Sequence, residues 1–311
     1  MKSKPIIIVA GEPNSIFFEI FFKSIRLKKY KSPLILICCV NRLKQQMKEL
    51  NFKKSLRLIE LNNLKKINLD NKKINIINVN LKLSKTYIKK CFDIAFKLIR
   101  DDFTNKLLNG PINKKKFLDK KYLGVTEYVA KRFGQNKIAM LIYNKKLSVC
   151  PLTTHLPLKL VAKRVTRKLI EEKIIIINNF FIKYLGFKPK IGVAGLNPHC
   201  ESILKFNEDD KIISLAIKSS KRKRYKVEGP LPADTIFLKN NRKNYDVILG
   251  MYHDQVLAPI KTLYEYDAIN ITMGLPFLRV SPDHGPNEKM VGKNLSNPLS
   301  MTKALNFLDQ R

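Results

Sequence analysis

Short, uninterrupted apolar runs are the clearest pattern along the chain. They are rich in β-branched residues and are bounded by polar, proline or glycine residues, which is typical of strands buried on both faces of a parallel sheet. The predicted strands are Pro5–Ala10, Pro33–Val40, Ile74–Val79, Lys190–Ala194 and Tyr245–Tyr252.

Between these runs, apolar residues recur every three or four positions, which is the period of an amphipathic helix. This pattern predicts a helix within Ser84–Arg100, with Ser84 as a candidate cap, and a longer helix over Lys163–Leu185. Gly186 follows the second helix, and glycine is a usual residue just after a helix end.

A β-hairpin is predicted where Ile138–Tyr143 and Leu147–Cys150 are separated by three polar residues. Strands that alternate with helices favour an α/β protein with a mostly parallel sheet, and the hairpin adds some antiparallel pairing. No Gly/Ser-rich linker or internal repeat marks a domain boundary.

Composition excludes several classes of protein. The 311 residues are 45% hydrophobic, which provides for a large core and excludes a disordered polymer. No apolar run approaches the roughly 20 residues that cross a bilayer, and Pro5–Ala10 is too short for a signal peptide. The five cysteines are odd in number and lack metal-type spacing, so we expect the protein to reside in the reducing cytoplasm.

The chain is strongly basic, with 60 Lys and Arg against 25 Asp and Glu and a net charge of +35. Such a charge is the electrostatic footprint of nucleic-acid binding. The basic residues are nevertheless scattered along a chain rich in Lys, Asn and Ile, and the compact run Lys218–Lys226 is typical of a solvated loop. No nucleic-acid-binding motif accompanies the charge, so we favour a compositional origin and expect no nucleic-acid partner.

All four histidines lie in short segments rich in Pro, Gly, Asn and Asp: His155, His199, His253 and His284. Two of them, His199 and His253, follow predicted strands, and α/β proteins bind ligands at the carboxyl ends of their strands. Three imidazoles would suit a divalent metal such as Zn²⁺. Their long separations do not make a local metal motif, so unrelated loop histidines remain the alternative on spacing alone.

Five segments, taken together and in order, closely resemble the 4-hydroxythreonine-4-phosphate dehydrogenase family. The resemblance begins at Gly11-Glu12-Pro13 and extends to the last helix. The segments are Thr153–Leu158, Gly195–His199, Glu228–Thr235, Tyr245–Gln255, and Asn270–Arg279 continuing through Asp283-His284-Gly285.

The resemblance implies an isocitrate/isopropylmalate dehydrogenase-like fold with two α/β domains and a cleft between them. One domain would be discontinuous, comprising residues 1–125 and 255–311 on the cofactor side. Residues 126–254 would form the second domain, with the metal ligands and the contacts of a homodimer whose active sites draw on both subunits.

The reaction implied by the resemblance is the NAD-dependent oxidation and decarboxylation of a small phosphorylated substrate, 4-phosphooxy-L-threonine. NADP is the alternative cofactor, and the divalent metal would be Zn, Mg or Co. The implied metal ligands are His155, His199 and His253, and the implied substrate contacts are Thr126, Lys261, Asn270 and Arg279. Asp254 and Asp234 would be the catalytic aspartates, with Asp254 orienting a metal ligand or carrying a proton, and His284 and Gly285 would bind the cofactor.

The chain departs from the family's pattern at three places. Val125 stands where the family usually has a histidine that contacts substrate, so one polar donor is lost. The residues after Gly11-Glu12-Pro13 lack the expected small and glycine residues, and Pro286-Asn287-Glu288 replaces a more apolar stretch. These changes keep two alternatives open: a sister dehydrogenase acting on 4-phosphorylated threonate or erythronate, and a basic nucleic-acid-binding protein on a decayed dehydrogenase scaffold.

Overall fold

The computed structural model describes residues 3–64, 66–81, 86–113, 117, 122, 124–201 and 206–311. The chain divides into two compact units, Met1–Val125 with Pro276–Arg311, and Thr126–Leu275. We call them unit 1 and unit 2.

Unit 1 contains a parallel sheet with the strand order β3-β4-β2-β1-β5-β12. Its last strand comes from the C-terminal segment and pairs with β5. The strands are β1 (Ile6–Val9), β2 (Leu34–Cys38), β3 (Leu56–Leu58), β4 (Ile74–Asn78), β5 (Lys106–Asn109) and β12 (Leu278–Pro282). The central strand β1 is completely buried, which explains its uninterrupted run of Ile and Val.

The helices of unit 1 include α1 (Phe17–Leu27), α2 (Val40–Glu49), α3 (Tyr87–Arg100) and α10 (Leu299–Asp309). Helix α3 packs on β1 and β2, while α10 packs on β5 and β12 and against α1. The C-terminal helix is also tied to the chain before β2, because the Asp309 carboxylate accepts hydrogen bonds from the backbone N–H groups of Lys31 and Ser32. The two sequence segments of unit 1 therefore share one core.

Unit 2 contains a mixed sheet with the order β11-β6-β7-β10-β8-β9. The pairs β11·β6 and β6·β7 are antiparallel, and the remaining pairs are parallel. The strands are β6 (Ala139–Tyr143), β7 (Ser148–Pro151), β8 (Ile191–Ala194), β9 (Val227–Leu231), β10 (Val247–Gly250) and β11 (Ile269–Met273).

The helices of unit 2 include α4 (Val125–Arg132), α5 (Val161–Arg164), α6 (Arg167–Leu185), α7 (Ser214–Arg222), α8 (Lys239–Arg242) and α9 (His253–Tyr264). Helix α6 packs on β6 and β11 and against α7. Helix α9 packs on β7 and β10, so its side chains face the strands that precede the histidine segments.

The predicted strands and the hairpin are confirmed, with Ile142 of β6 opposite Val149 of β7. The helix predicted over Lys163–Leu185 is confirmed from Arg167 to Leu185, but its start is wrong, because the chain is extended at Val165 and Thr166 between α5 and α6. The Thr166 side chain caps α6 by accepting from the Leu169 N–H, and Gly186 ends it at a φ of 81°. The cap expected at Ser84 lies outside the described residues.

The second domain boundary differs from the expected one. Residues 255–275, expected in the first domain, belong to unit 2. The reason is that α9 packs on β7 and β10, and β11 pairs with β6. Among the described residues, no helix is long and apolar enough to span a membrane.

Candidate active site

Three histidine-bearing loops leave the same edge of the unit 2 sheet, because β7, β10 and β8 are parallel neighbours. Hydrogen bonds join the loops just beyond the strand ends. Thr153 Oγ1 donates to the Met251 carbonyl at 2.8 Å, which ties the His155 loop to the His253 loop. Gln255 Nε2 donates to the Gly195 carbonyl at 2.7 Å, which ties the His253 segment to the loop before His199.

Two of the predicted metal ligands, His155 and His253, lie close together. The ring centroids of His155 and His253 are 5.8 Å apart, with the rings tilted by 38°. His155 is exposed and His253 is half-buried. The structure thus brings together two imidazoles that lie almost a hundred positions apart in the sequence.

His253 begins α9 and is oriented by its neighbour in the sequence. Its Nδ1 lies 2.6 Å from Oδ1 of Asp254, whose side chain is otherwise exposed. A carboxylate at Nδ1 favours the tautomer with the proton on that nitrogen, which leaves the Nε2 lone pair for a ligand.

His199 lies on the turn after β8 in a left-handed backbone conformation, with φ 56°, and its side chain is exposed. Within the described part of the chain, no three His, Cys, Asp or Glu residues lie close enough to hold a metal ion. The structure therefore joins His155 with His253 but does not complete the predicted set of three within one chain.

The donor type fits the implied metal. Imidazoles are ligands of Zn²⁺ and Co²⁺, and an Asp that orients one of them is a usual support for such a site. The juxtaposed pair supplies two donors, and a third is required beyond it. His199, on a loop that is tied to the same segment through Gln255, is the donor that the sequence nominates.

A cavity of about 550 Å³ lies beside His155 in unit 2. It is lined by side chains of α4, β6 and α6, among them Thr126, Glu127, Lys131 and Lys173. The volume is within the usual range for small-molecule sites. Thr126, a predicted substrate contact, and His155, a predicted metal ligand, thus line one cavity.

Strand β11 presents two polar side chains on one face, at Asn270 and Thr272. The hydroxyl oxygens of Thr272 and Thr126 are 3.5 Å apart. Asn270 Oδ1 is buried and has no hydrogen-bond partner among the described residues, so it is a ready acceptor. Lys261 lies two turns along α9 from His253 and is half-buried.

Asp234 is exposed in the turn after β9. Its charge acts on Cys200, whose pKa is raised to about 11 by burial first and then by Asp209, with a smaller contribution from Asp234. Asp234 is therefore within electrostatic reach of the residue that follows His199.

In unit 1, the predicted cation Arg279 lies inside strand β12 and is 3% exposed. Its Nε donates to Oδ1 of Asn109, at the end of β5, over 2.8 Å. Because both residues belong to paired strands, the guanidinium is held by the sheet itself.

The predicted cofactor residues His284 and Gly285 follow β12 in unit 1. The next residue, Pro286, accepts a hydrogen bond from the Ile16 N–H, so this turn contacts the loop after β1. In that loop Oε2 of Glu12 is buried with no hydrogen-bond partner among the described residues. An unsatisfied buried carboxylate oxygen fits a ligand that brings a donor, such as a ribose hydroxyl.

Several residues that shape the site had no clear sequence signal. They act through contacts distant in sequence, as Asn109 does with Arg279 and Asp209 does with the turn before His199. Gln255 and Thr272 could have been found, since they lie within two positions of His253 and Asn270. Val125, at the position where the resemblance implies a histidine, is buried at the first position of α4.

Curated relatives match nearly the whole chain. A 4-hydroxythreonine-4-phosphate dehydrogenase from Sulfurihydrogenibium sp. is 34% identical over 309 residues, covering 96% of this chain and 95% of the relative. A D-threonate 4-phosphate dehydrogenase from Salmonella typhimurium is 33% identical over 307 residues, covering 92% of each chain.

Solved structures share the fold. The crystal structure of a 4-hydroxythreonine-4-phosphate dehydrogenase from Klebsiella pneumoniae is similar with a TM-score of 0.83 at 28% identity over 98% of each chain. A β-decarboxylating dehydrogenase from Thermococcus kodakarensis gives a TM-score of 0.54 at 13% identity, covering 97% of this chain and 82% of that one. The predicted isocitrate/isopropylmalate dehydrogenase-like α/β fold is confirmed.

The model of one family, described as pyridoxal phosphate biosynthetic protein PdxA, matches residues 28–308. The match includes all three histidine-bearing loops of unit 2, the Asn270 strand and the buried Arg279 of unit 1. The chain belongs to the PdxA family.

Proposed function

We propose that this protein is a 4-hydroxythreonine-4-phosphate dehydrogenase. It oxidises and decarboxylates 4-phosphooxy-L-threonine to 3-amino-2-oxopropyl phosphate, with NAD⁺ as the hydride acceptor, in the biosynthesis of pyridoxal 5′-phosphate. The observation that carries the proposal is the approach of the His155 and His253 rings beside a cavity that Thr126 also lines, in a chain of the PdxA family.

The reaction has two steps. The secondary hydroxyl loses its proton and its carbon loses a hydride, which a bound nicotinamide would accept, and the product of this step is a ketone β to the carboxylate. The carbon–carbon bond to the carboxylate then breaks, CO₂ leaves, and the resulting enolate takes up a proton. No side chain can accept a hydride, so a nucleotide cofactor is required.

His155, His253 and His199 are assigned to a divalent metal, Zn, Mg or Co. When bound, the ion supplies a Lewis acid that lowers the pKa of the substrate hydroxyl and stabilises the negative charge that develops on its oxygen. Asp254 holds the Nδ1 proton of His253 and so keeps Nε2 available as a donor atom. Asp234 is assigned to the integrity of the same region.

Thr126, Lys261, Asn270 and Arg279 are assigned to the substrate. Arg279 offers a planar set of N–H donors that matches phosphate or carboxylate oxygens, and its contact with Asn109 fixes the plane of the guanidinium. Asn270 Oδ1 is placed to accept from a substrate N–H or O–H group. His284 and Gly285, next to the Glu12 loop, are assigned to NAD, with NADP as the alternative.

A homodimer whose active sites draw on both chains is part of the proposal. His155 and His199 are exposed, and the segments beside the site residues carry exposed apolar side chains at Leu158, Phe206 and Leu238. Such side chains near exposed metal donors are well suited to cover by a second copy. We also assign the protein to the cytoplasm, in keeping with its odd number of cysteines.

A sister reaction on 4-phosphorylated threonate or erythronate is the second candidate. Val125 is buried next to Thr126, where the family's histidine would add a polar donor, and one relative is named a D-threonate 4-phosphate dehydrogenase. The two substrate types differ at one carbon, which bears an amino group or a hydroxyl.

The test is a comparison of substrates with the purified protein. NADH formation is followed with NAD⁺ and Zn²⁺, Mg²⁺ or Co²⁺, separately with 4-phosphooxy-L-threonine, 4-phospho-D-threonate and 4-phospho-D-erythronate. We expect the largest kcat/KM with the first. Turnover of the threonate alone would replace the proposed function by the second candidate.

A basic nucleic-acid-binding protein on a decayed dehydrogenase scaffold is the reading from another class. It requires DNA or RNA binding that falls steeply with salt and survives replacement of His155, His199 and His253 by alanine. Dehydrogenase activity that disappears with the same replacements would exclude it.

A further inference from the structure

Asp209 is a buried carboxylate outside the set of residues assigned above. It is fully inaccessible to solvent and begins a π-helical turn, Asp209–Ile213, that leads into α7. Burying a carboxylate is costly unless hydrogen bonds satisfy it. Asp209 must therefore draw its stabilisation from the groups that it contacts.

Those groups belong to the turn that carries His199. Asp209 Oδ1 accepts from the Leu196 N–H at 2.8 Å, and Oδ2 accepts from the Asn197 N–H at 3.1 Å. The Asn197 side chain also donates to Oδ2 at 2.8 Å. Three donors in two consecutive residues thus converge on one carboxylate, directly before Pro198 and His199.

This turn needs such support because its backbone is strained. His199 and Cys200 have φ angles of 56° and 61°, and two consecutive non-glycine residues in this region cost free energy that the surroundings must offset. Asp209 also packs closely against the turn, since a Cβ atom on Gly195 would lie 2.6 Å from its Oδ1.

On the other side, the same turn is joined to the His253 segment. Gln255 donates to the Gly195 carbonyl and accepts from the Met251 N–H, both at 2.7 Å. The turn before His199 is therefore held between the Asp209 carboxylate and the Gln255 amide. Single π-helical turns of this kind are frequent at functional sites.

We propose that Asp209 is a positioning residue for His199, which it holds in the orientation that completes the metal site begun by His155 and His253. The inference rests on the proposed function. Asp209 contributes through the geometry of the turn, because among the described residues its side chain bonds to the backbone of Leu196 and Asn197 and to the Asn197 side chain, and to no histidine.

The test uses the full-length protein and Co²⁺ as the probe. In Asp209→Asn, one carboxylate oxygen becomes an NH₂ group that cannot accept from the backbone N–H groups. We expect Co²⁺ affinity to fall about 10- to 100-fold, as replacements of residues that orient metal ligands do. The visible spectrum of bound Co²⁺ should change, because it reports the ligand set. In the absence of metal, a thiol reagent should label Cys200, the half-exposed cysteine beside His199, faster in Asp209→Asn than in the wild-type protein.

Asp210→Asn is the matched control, since it removes the same charge at the next position, where Asp210 is exposed and bonds to Asn207. It should behave as wild type. If Asp209→Asn does not fold, Asn197→Ala, which removes one donor to Asp209, should weaken Co²⁺ binding in the same direction to a smaller extent. Circular dichroism checks the fold of each variant.

If the wild-type protein binds Co²⁺ and the folded Asp209 or Asn197 variant binds it equally well with the same spectrum, the role of Asp209 is overturned. The proposed function is not affected by that result. Wild-type protein that neither binds Co²⁺ nor turns over substrate overturns the proposed function, and this inference with it.

Discussion

Arg279 of unit 1 and the histidines of unit 2 are held in opposite ways. In unit 1, Arg279 is buried inside a strand and oriented by Asn109 on the neighbouring strand. In unit 2, His155 and His199 lie in segments beyond the strand ends and His253 begins helix α9, and hydrogen bonds from Thr153 and Gln255 join these segments. A residue fixed by a sheet keeps its position at little further cost, whereas a residue on a loop depends on supporting contacts that single substitutions can remove.

The largest effect on activity is expected from removing one of the histidines of unit 2. His253→Ala removes one of the two adjacent imidazoles, so we expect loss of bound metal and a fall in kcat of about 10³-fold or more, because a Lewis acid contributes several kcal/mol to such a reaction. Metal content per chain and initial rates of NADH formation measure it. Unchanged circular dichroism and oligomeric state serve as controls, and full turnover without bound metal would contradict the assignment.

Substitutions at Arg279, which lies in strand β12, should have a smaller effect, and the effect should appear in KM for the substrate. Arg279→Lys keeps the charge but loses the planar donor set, so KM should rise about 10- to 100-fold. Asn109→Ala leaves Arg279 in place without its orienting contact, and its effect should be intermediate. Steady-state kinetics at saturating NAD⁺ separate KM from kcat. An Asn109 variant as impaired as the Arg279 variant would show that Asn109 does more than orient the guanidinium.

Stability should also differ between the units. In unit 1, buried Glu19 pairs with Lys23 at 2.8 Å and accepts from the Ser296 N–H, while Lys23 donates to the carbonyls of Asn294 and Ser296. Glu19→Ala leaves the Ser296 N–H without its acceptor and removes the counter-charge of Lys23, so the free energy of unfolding in urea should fall by about 2 kcal/mol. Glu60→Gln, at an exposed position in the same unit, is the control and should change stability little.

The exposed ion pairs of Glu171 in unit 2 should contribute least to the free energy of unfolding. Glu171 of α6 contacts Arg167 at 2.8 Å and Lys223, beyond α7, at 3.0 Å, with both cations largely exposed. We expect Glu171→Gln to lower the free energy of unfolding by about 0.5 kcal/mol at neutral pH, and less in high salt. A double-mutant cycle with Lys223→Gln isolates the pair.

The pH dependence of that difference has a definite sign. The Arg167 hydrogen bond, followed by the Lys223 contacts, lowers the pKa of Glu171 from 4.5 to about 2. A carboxylate with a lowered pKa stabilises the folded state above its ordinary pKa, and the stabilisation is lost as pH falls from about 4.5 towards 2. Unfolding of wild type and Glu171→Gln at pH 7 and pH 3 should show the difference shrink. A difference that grows towards acid would contradict the assignment.

The sequence predicted best the parts of the fold where burial is uniform. Strands such as β1 and β10 are inaccessible on both faces, so every position is apolar and the run is obvious. Strands β5 and β12 were missed because Lys106, Asn109 and Arg279 interrupt their apolar pattern. These polar side chains are buried and make contacts across the sheet, which a one-dimensional pattern cannot show.

Only those residues of the candidate site that lie within recognisable motifs could be predicted from the sequence. The histidine loops follow recognisable strands, so their common edge could be inferred. The groups that hold the loops could not, since Asp209 reaches back to Leu196 and Gln255 reaches across sixty positions to Gly195. The helix break at Val165 was also missed, because apolar periodicity continues through it while Thr166 caps a new helix.

The discontinuity of unit 1 has a consequence for how the protein is made. Unit 2 is one continuous stretch, Thr126–Leu275, and all of its strands have been synthesised while the ribosome still has residues 276–311 to add. Strand β12 and helix α10, which complete the unit 1 core, are made after unit 2, so β5 and α1 keep apolar surface exposed until then. A premature stop codon just after residue 275 would remove Arg279 and also leave the unit 1 residues that precede unit 2 without their core partners.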